Sequence, residues 1–207
     1  MLNHGIIGNE RILALVSPDQ SIDWLCMPRF DSPSVFARLL DGQNGGCFQI
    51  LESLGDADRT FAYVENTNIL RSQILNEQQG YELLDFAPRI VEGLGVQSPV
   101  EIVRILRPIR GRPRLRVVFD ARPDYGKTKP AVALSGESIV IRGSDIDFFL
   151  YSNLPLSFVL EGAEFFLDRP VFFVFSCYSR AKRPDLAEVN LLLESTIQGW
   201  RSWAKTC

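Results

Sequence analysis

Short runs of apolar residues, each ended by Gly, Pro, Asn or Asp, follow one another from residue 10 to about residue 180. Runs of this length bounded by turn-forming residues predict β-strands. Two short polar segments, 18–20 and 77–80, would join neighbouring strands as hairpins. We predict a dozen strands, over 11–17, 21–27, 47–51, 68–76, 81–87, 100–107, 115–121, 131–134, 138–142, 145–151, 157–160 and 171–178.

The degree of alternation predicts how these strands are buried. Apolar side chains alternate only partly over 115–119, and they do not alternate at all over 171–175, which is Val-Phe-Phe-Val-Phe. Partial alternation indicates a half-exposed strand, whereas an unbroken apolar run is typical of a strand buried on both faces. Many short strands at this spacing predict a mainly β chain folded as a large antiparallel β-sandwich.

Two segments have helical patterns. Ser32 is a good N-cap and Pro33 suits a first helical position, so the apolar residues that follow predict a short helix near 33–40. Asp185 and Glu188 form a capping-box pattern before a second, amphipathic helix. Its apolar positions recur at three- and four-residue steps and are Leu186, Val189, Leu193, Ile197, Trp200 and Trp203.

These elements predict two parts of the chain. We expect a β-sandwich domain over 1–183 and an amphipathic helix over 184–207. A helix with two tryptophans on its apolar face needs a surface to pack against. That surface is either the chain's own sheet or a partner outside this chain.

Composition and charge exclude several classes of function. The 207 residues are 46% hydrophobic and 23% charged, as in a globular protein, and the net charge of −3 argues against nucleic acid as a partner. Residues 1–10 lack a basic region followed by an apolar run, and no apolar run approaches the ~20 residues of a membrane span. We therefore expect neither a secretory signal nor a membrane partner.

The cysteines and the histidine bear on location and on metal binding. Cys26, Cys47, Cys177 and Cys207 show no C-x-x-C spacing, which indicates free thiols in a cytoplasmic protein. His4 is the single histidine of the chain. We therefore expect no metal site and no cofactor.

Familiar catalytic motifs are missing from the sequence. It contains no G-x-S-x-G nucleophile elbow, no phosphate-binding P-loop and no dinucleotide-binding glycine pattern. A glycosidase-like pair of carboxylates about 5–10 Å apart remains, and Asp23 and Asp31 are the best pair because of the aromatic residues near them. The alternative, which we favour, is that Asp23 caps a turn and Asp31 caps or precedes the helix at Ser32. We predict no catalytic residue in this chain.

Other polar and aromatic groups have two interpretations each. Tyr125 could pack over a sheet edge, or it could contact sugar or a neighbouring domain. Trp200 and Trp203 could be core residues, but their place near the end of the sequence favours an interdomain contact. A run of six arginines could bind phosphate, or it could form salt bridges and the solvent face of a hairpin, which the acidic net charge favours. The six are Arg104, Arg107, Arg110, Arg112, Arg114 and Arg116.

Four early segments carry a resemblance to a known family. Residues 6–8 (Ile-Ile-Gly), 14–17 (Ala-Leu-Val-Ser), 21–26 (Ser-Ile-Asp-Trp-Leu-Cys) and 28–37 (Pro-Arg-Phe-Asp-Ser-Pro-Ser-Val-Phe-Ala) resemble the amino-terminal domain of bacterial and archaeal glycoside hydrolase family 15 proteins. That group contains glucoamylases, glucodextranases and a trehalase-type branch, and the trehalase-like amino-terminal domain is the closest likeness. Shorter motifs follow in the same order at 85–86, 88–89, 124–126 and 200–203.

The resemblance implies a fold and a function. In that family the amino-terminal domain is a large antiparallel β-sandwich (a supersandwich), and both catalytic glutamates lie in a following (α/α)6 barrel. The terminal helix resembles the connector to that barrel. This chain would then be a non-catalytic domain that buttresses the barrel of an enzyme cleaving α-glucosidic bonds, and it would be inactive alone. The residues that would either line the rim of the sugar pocket or lock the turn are Asp23, Trp24, Arg29, Phe30 and Asp31.

Two other functions stay open. The chain could be a free-standing carbohydrate- or partner-binding β-sandwich, with α-glucan or trehalose as its ligand, or a self-contained glycosidase using Asp23 and Asp31, which ranks last. Exposed apolar surface could also make it self-associate. Two positions depart from the family pattern. Asn9-Glu10 stands where the family more often has an acidic residue followed by a small residue or Cys, and Gln20 stands where a turn glycine is usual. These departures bear on the geometry of the first hairpin.

Overall fold

Two antiparallel β-sheets contain most of the strands in the computed structural model, which describes residues 3–93, 95–127, 129–143 and 145–205. Strands are numbered in chain order. Within the described residues the first sheet has the order β1-β2-β3-β5-β12-β16, with β4 paired to β3 as a branch. Its strands are β1 (Gly5–Gly8), β2 (Leu13–Val16), β3 (Ser21–Cys26), β4 (Ser34–Phe36), β5 (Cys47–Glu52), β12 (Arg114–Asp120) and β16 (Glu164–Phe166).

The second sheet has the order β13-β14-β15-β17-β11-β8-β7-β6 over the same ranges. Its strands are β6 (Asp58–Tyr63), β7 (Leu70–Leu75), β8 (Gly80–Phe86), β11 (Glu101–Arg110), β13 (Ala131–Ser135), β14 (Ser138–Arg142), β15 (Phe148–Ser152) and β17 (Val171–Ser176). A separate two-stranded ribbon consists of β9 (Ile90–Glu92) and β10 (Gly95–Gln97). The mainly β, antiparallel prediction is confirmed.

Two helices complete the described fold, α1 (Leu156–Glu161) and α2 (Leu186–Ala204). The capping box of α2 forms as expected: the Asp185 carboxylate accepts from Glu188 N at 2.8 Å, and the Glu188 carboxylate accepts from Asp185 N at 2.8 Å. These bonds satisfy two N–H groups that a helix leaves without internal partners. Of the predicted 184–207 helix, residues 206 and 207 lie outside the described residues.

The sandwich core lies between the sheets and is rich in phenylalanine. Phe36 and Phe48 from the first sheet meet Phe173 and Phe175 from the second, with ring centroids 5.5 Å apart for Phe36 and Phe175 and 5.6 Å for Phe48 and Phe173. A second core lies on the far side of the second sheet, where α2 packs. Because β17 contributes alternate residues to both cores, it is buried on both faces, as its unbroken apolar run predicts.

Two predicted elements are wrong. The short helix near 33–40 is instead the strand β4 followed by a turn, in which Leu40 N and Asp41 N both donate to Ala37 O. Val35 and Phe36 are buried in the sandwich core, and strand pairing with β3 overrides the helical cap signals of the local sequence. The predicted strand 157–160 is the helix α1, which ends at Gly162 in the left-handed conformation.

The arginine run forms ion pairs within the domain. Arg104 is fully buried, and its guanidinium donates to both carboxylate oxygens of Asp85 at 2.7 and 3.1 Å. It also donates to Gln20 O at 2.7 Å and to Phe48 O, so an arginine of the second sheet holds backbone carbonyls of the first. Among the described residues, carboxylate partners also lie within 4.0 Å of Arg107, Arg112 and Arg114.

Candidate functional site

Asp23 sits at a bulge in β3. Val16 of β2 pairs with Ile22 and Leu15 pairs with Trp24, which leaves Asp23 as the extra residue. A bulge re-aims the side chain it carries and bends the strand. The register therefore places a carboxylate where regular alternation would not.

The Asp23 carboxylate is buried and tied to two basic side chains. His4 Nε2 lies 3.0 Å from Oδ2, and Arg38 Nε lies 2.9 Å from Oδ1 as an ion pair. The Asp23 carbonyl accepts from Leu39 N at 3.1 Å. Arg38 in turn donates to Gln49 of β5 at 2.9 Å. Asp23 thus links the amino-terminal segment to the turn after β4.

Trp24 has a different environment from its neighbours. Ile22 and Leu25 belong to the sandwich core, whereas Trp24 is half-buried and belongs to neither core. It lies opposite Leu15 of β2. Its ring is therefore part of the outer side of the first sheet.

The turn after β3 presents its polar and aromatic side chains to solvent. Arg29 donates from Nε and Nη2 to the two oxygens of Asp31, at 2.9 Å each, and both side chains are more than half exposed. Phe30 is 58% exposed, while its N–H donates to Arg11 O at 3.1 Å. The less favoured interpretation of the sequence pairs Asp23 with Asp31, but the structure gives each carboxylate its own arginine. Neither carboxylate lines the cavities described below.

Phe30 and two tryptophans of α2 line two neighbouring cavities, which together we call the aromatic groove. Phe30 and Trp200 line a cavity of about 290 Å³ together with Asn68 and residues 8–13. Trp200 and Trp203 line a neighbouring cavity of about 400 Å³ with residues 66–68. Trp200 and Asn68 line both cavities. Phe30, predicted for the rim of a sugar pocket, therefore lies near Trp200 and Trp203, predicted for an interdomain contact.

Arg89 contacts Trp200, the aromatic residue that lines both cavities of the groove. Its guanidinium donates to Gly199 O at 2.9 Å, pairs with Glu10 at 3.1 Å and lies 4.9 Å from the Trp200 ring centroid. The Arg89 N–H donates to Thr196 Oγ1 at 3.1 Å. These contacts fix α2, and with it Trp200, against the β-sandwich.

Trp203 extends the groove towards solvent. Its ring packs edge-on against Trp200, with centroids 5.7 Å apart, and it is 49% exposed. An exposed tryptophan beside asparagine side chains can stack on an apolar face and leave polar groups for hydrogen bonds. The groove can therefore bind a flat ligand or a protein surface.

Tyr125 lies in another part of the molecule. Asp124, Tyr125 and Gly126 all have positive φ, at 54°, 58° and 69°, which is an unusual conformation for the first two. Tyr125 is 51% exposed, and Lys127 Nζ lies 5.7 Å from its ring centroid. Asp124 lines a cavity of about 520 Å³ that also includes Pro28. This turn is thus close to the turn after β3 but lines neither cavity of the aromatic groove.

Several residues that build the candidate site are not predicted from the sequence. Arg38 and Asn68 carry no motif, and their contacts depend on tertiary approach across 15 and 60 positions, to Asp23 and to Gly8 N. His4 is considered above only as a metal ligand, yet it contacts Asp23. Arg89 belongs to the short family motif at 88–89, and that motif is the one sequence signal that points to it.

The described residues contain no cluster of three or more His, Cys, Asp or Glu that could hold a metal ion. Within these same ranges, no helix is long and apolar enough to cross a membrane. Cys26, Cys47 and Cys177 are free and buried, and burial raises the pKa of each thiol. Cys207 lies outside the described residues.

Comparison with known proteins gives a consistent picture. The family model described as "Trehalase-like, N-terminal" matches residues 2–158. A protein named trehalase from Thermoplasma volcanium is 28% identical over 214 residues, which cover 98% of this chain and 33% of that protein. A trehalase from Thermoplasma acidophilum is 27% identical, covering 92% of this chain and 34% of its own length. Trehalase 1 from Sulfolobus acidocaldarius is 39% identical over 65% of this chain and 22% of that protein.

The chain thus spans about a third of the length of the two Thermoplasma relatives. No solved structure matches it significantly.

Proposed function

The chain belongs to the trehalase-like N-terminal domain family, and we propose that it is the non-catalytic amino-terminal domain of a larger, trehalase- or glucoamylase-type glycoside hydrolase of family 15. The observation that carries the proposal is its coverage of only the first third or so of proteins named trehalase. The enzyme would cleave α-glucosidic bonds in a following (α/α)6 barrel. Trehalose or an α-glucan would be the substrate.

The contacts of the candidate carboxylates support a non-catalytic role. Asp23 is held by His4 and Arg38, and Asp31 is held by Arg29. A glycosidase needs two carboxylates that face one substrate. Carboxylates engaged with separate arginines are suited to structural roles instead: Asp31 fixes the turn after β3, and Asp23 fixes the turn after β4.

In this proposal the aromatic groove buttresses the barrel. Trp203 and Phe30 are about half exposed or more, and Arg89 holds Trp200 between them. Large aromatic residues and arginine are enriched where protein surfaces meet. Arg29, Phe30 and Asp31 would lie at the rim of the sugar pocket, where Arg and Asp can bond hydroxyl groups directionally. The three free, buried cysteines support a cytoplasmic location for the enzyme.

An activity assay tests the non-catalytic role. We expect the purified 207-residue chain to release no glucose from trehalose, maltose or dextrin in a coupled glucose assay, with the Thermoplasma volcanium trehalase as the positive control. Glucose release that disappears in the Asp23→Asn variant would show a self-contained glycosidase and overturn the proposal.

A chimera tests the buttress role. This chain would replace the matching amino-terminal third of the Thermoplasma volcanium trehalase, and Trp203→Ala would be compared with Leu191→Ala, a control on the same helix that is 62% exposed. We expect the tryptophan variant alone to lower the midpoint of thermal inactivation. Equal midpoints for both variants and the unchanged chimera would contradict a contact between the aromatic groove and the barrel.

The exposed rings of the aromatic groove also support a second candidate, a free-standing carbohydrate-binding module. Isothermal titration of the chain with trehalose and malto-oligosaccharides separates the two. Binding heat that is lost in Phe30→Ala and Trp203→Ala, but retained in Leu191→Ala, would favour the module. An absence of heat with every glucan would leave the buttress role as the better explanation.

A further inference from the structure

The edges of the two large sheets are protected to different degrees. An edge strand presents unpaired N–H and C=O groups, and proteins usually block them to prevent pairing with other chains. Across the ranges that the structure describes, the two main sheets end at β1 and β16 and at β6 and β13. Three of these four edges carry a recognisable block.

Side chains occupy the backbone groups of β1. Tyr63 Oη accepts from Ile6 N at 2.7 Å, and Asn68 donates to Ile6 O at 2.8 Å. Asn68 Oδ1 also accepts from Gly8 N at 2.6 Å. An incoming strand would have to displace both side chains.

Short length and charge protect two further edges. β16 has three residues, and its Glu164 pairs with Arg114 at 3.3 Å. β6 carries Asp58 and Arg59 at its start. Charged side chains on an edge disfavour the approach of a second strand.

β13 has none of these features. Its five residues, Ala-Val-Ala-Leu-Ser, carry no charge, and all of them are exposed. Val132 and Leu134 pair with Ile141 and Ile139 of β14, which are buried in the sandwich core. Yet Val132 is 45% exposed and Leu134 is 53% exposed, so this strand extends beyond the cover of the first sheet. The edge thus offers open backbone groups and apolar side chains together.

We propose that β13 pairs antiparallel with β13 of a second copy of this chain, giving a two-fold dimer with one continuous sheet. The strand is self-complementary when the axis passes through Ala133. Val132 then lies opposite Leu134 of the second copy, and the same pair occurs twice. Side chains of each pair share one face, where they cover the exposed border of both cores. Because the contact is small, the dimer is weak and depends on concentration.

Sedimentation velocity over a concentration series tests this pairing. The weight-average mass of the wild-type chain rises above the 23.4 kDa monomer as concentration increases. Val132→Lys weakens association at least about tenfold, because each change enters the dimer twice. Leu191→Lys, at a position on α2 that is 62% exposed, leaves association unchanged. A wild-type chain that stays monomeric throughout, or equal weakening by both variants, overturns the proposal.

Cross-linking gives an independent measurement with the strand sequence nearly intact. Directly opposed residues of antiparallel strands have Cα atoms about 4.5–5.5 Å apart, within the range of a disulfide. In a Cys207→Ser background, Ala133→Cys forms a covalent dimer with a mild oxidant, whereas Val96→Cys, at a residue 44% exposed on β10, does not. Circular dichroism checks that both variants fold. Cross-linking of Ala133→Cys that is no faster than that of Val96→Cys overturns the pairing.

Discussion

Removing the buried Arg104 guanidinium should destabilise the domain more than most single substitutions. Arg104→Met keeps much of the apolar stem but leaves the Asp85 carboxylate buried without its partner, and it removes donors to Gln20 O and Phe48 O. Breaking a buried ion pair on one side costs about 3–5 kcal/mol. The total free energy of unfolding of a domain is about 5–15 kcal/mol, so the variant loses a large fraction of its stability.

The loss should also depend on pH. Burial raises the pKa of the Asp85 carboxyl, and Arg104 lowers it towards its ordinary value. Without Arg104 the pKa of folded Asp85 rises further, so the folded variant holds a proton that the unfolded chain releases above about pH 4. The free energy of unfolding of the Arg104→Met variant is then retained at low pH and decreases as pH rises through the pKa of Asp85 in the folded state. We therefore expect the difference from wild type to be larger at about pH 8 than at about pH 5.

Urea unfolding followed by tryptophan fluorescence measures these free energies. Arg104→Met/Asp85→Leu should recover most of the loss and its pH dependence, because no unpaired carboxylate remains. Arg112→Met removes an exposed ion pair and should cost less than about 1 kcal/mol. An Arg104→Met variant that loses as little as Arg112→Met, or whose loss is unaffected by the second substitution, would refute the reasoning.

Three further predictions concern the candidate site and the helix that carries the tryptophans. Asp23→Ala should lower the free energy of unfolding by about 2–4 kcal/mol, since it leaves a histidine and an arginine without their shared carboxylate. Asp31→Ala, at an exposed position, should change the free energy of unfolding by less than about 1 kcal/mol. Equal losses for the two variants in urea titrations would contradict this assignment. Gly199→Ala should destabilise the chain by about 1–3 kcal/mol, because a Cβ there would lie 2.7 Å from a backbone carbonyl oxygen. Gly42→Ala, which meets nothing within 4 Å, should be neutral or slightly stabilising, and a stabilising Gly199→Ala in calorimetry would argue against close packing of the helix. Asp185→Ala should cost about 1 kcal/mol through loss of the helix cap, visible as a lower thermal midpoint by circular dichroism, and an unchanged midpoint would show that packing alone holds the helix start.

Strand positions follow from the sequence where hydrophobic pattern and turn chemistry agree. The hairpin turns at 18–20 and 77–80 form, and β17 is buried on both faces as its composition predicts. The strand β1 is short and contains two glycines, and β6 is mostly exposed, so neither has a clear apolar signal. Each of them forms by pairing with the next strand along the chain, β1 with β2 and β6 with β7, and a single sequence with weak alternation does not display that register.

Local signals mislead where tertiary pairing outweighs them. Ser32 and Pro33 are good helix-start residues, yet the chain that follows joins β3 as a strand and places Phe36 in the core. The reverse occurs at α1, where a short apolar run has strand-like composition but forms a helix between Pro155 and Gly162. In both places the competing states differ little in local propensity, so burial decides between them.

The departure of Gln20 from a usual turn glycine shows how the candidate site is supported. Gln20 adopts a φ of 61°, a conformation that glycine takes more easily. Its side chain accepts from the buried hydroxyl of Tyr81 at 2.8 Å, and its carbonyl accepts from Arg104 at 2.7 Å. A glycine would relieve backbone strain but leave the Tyr81 hydroxyl without that acceptor. The second sheet thus holds the turn of the β2–β3 hairpin from inside the core, and the Asp23 bulge begins three residues later on a fixed base.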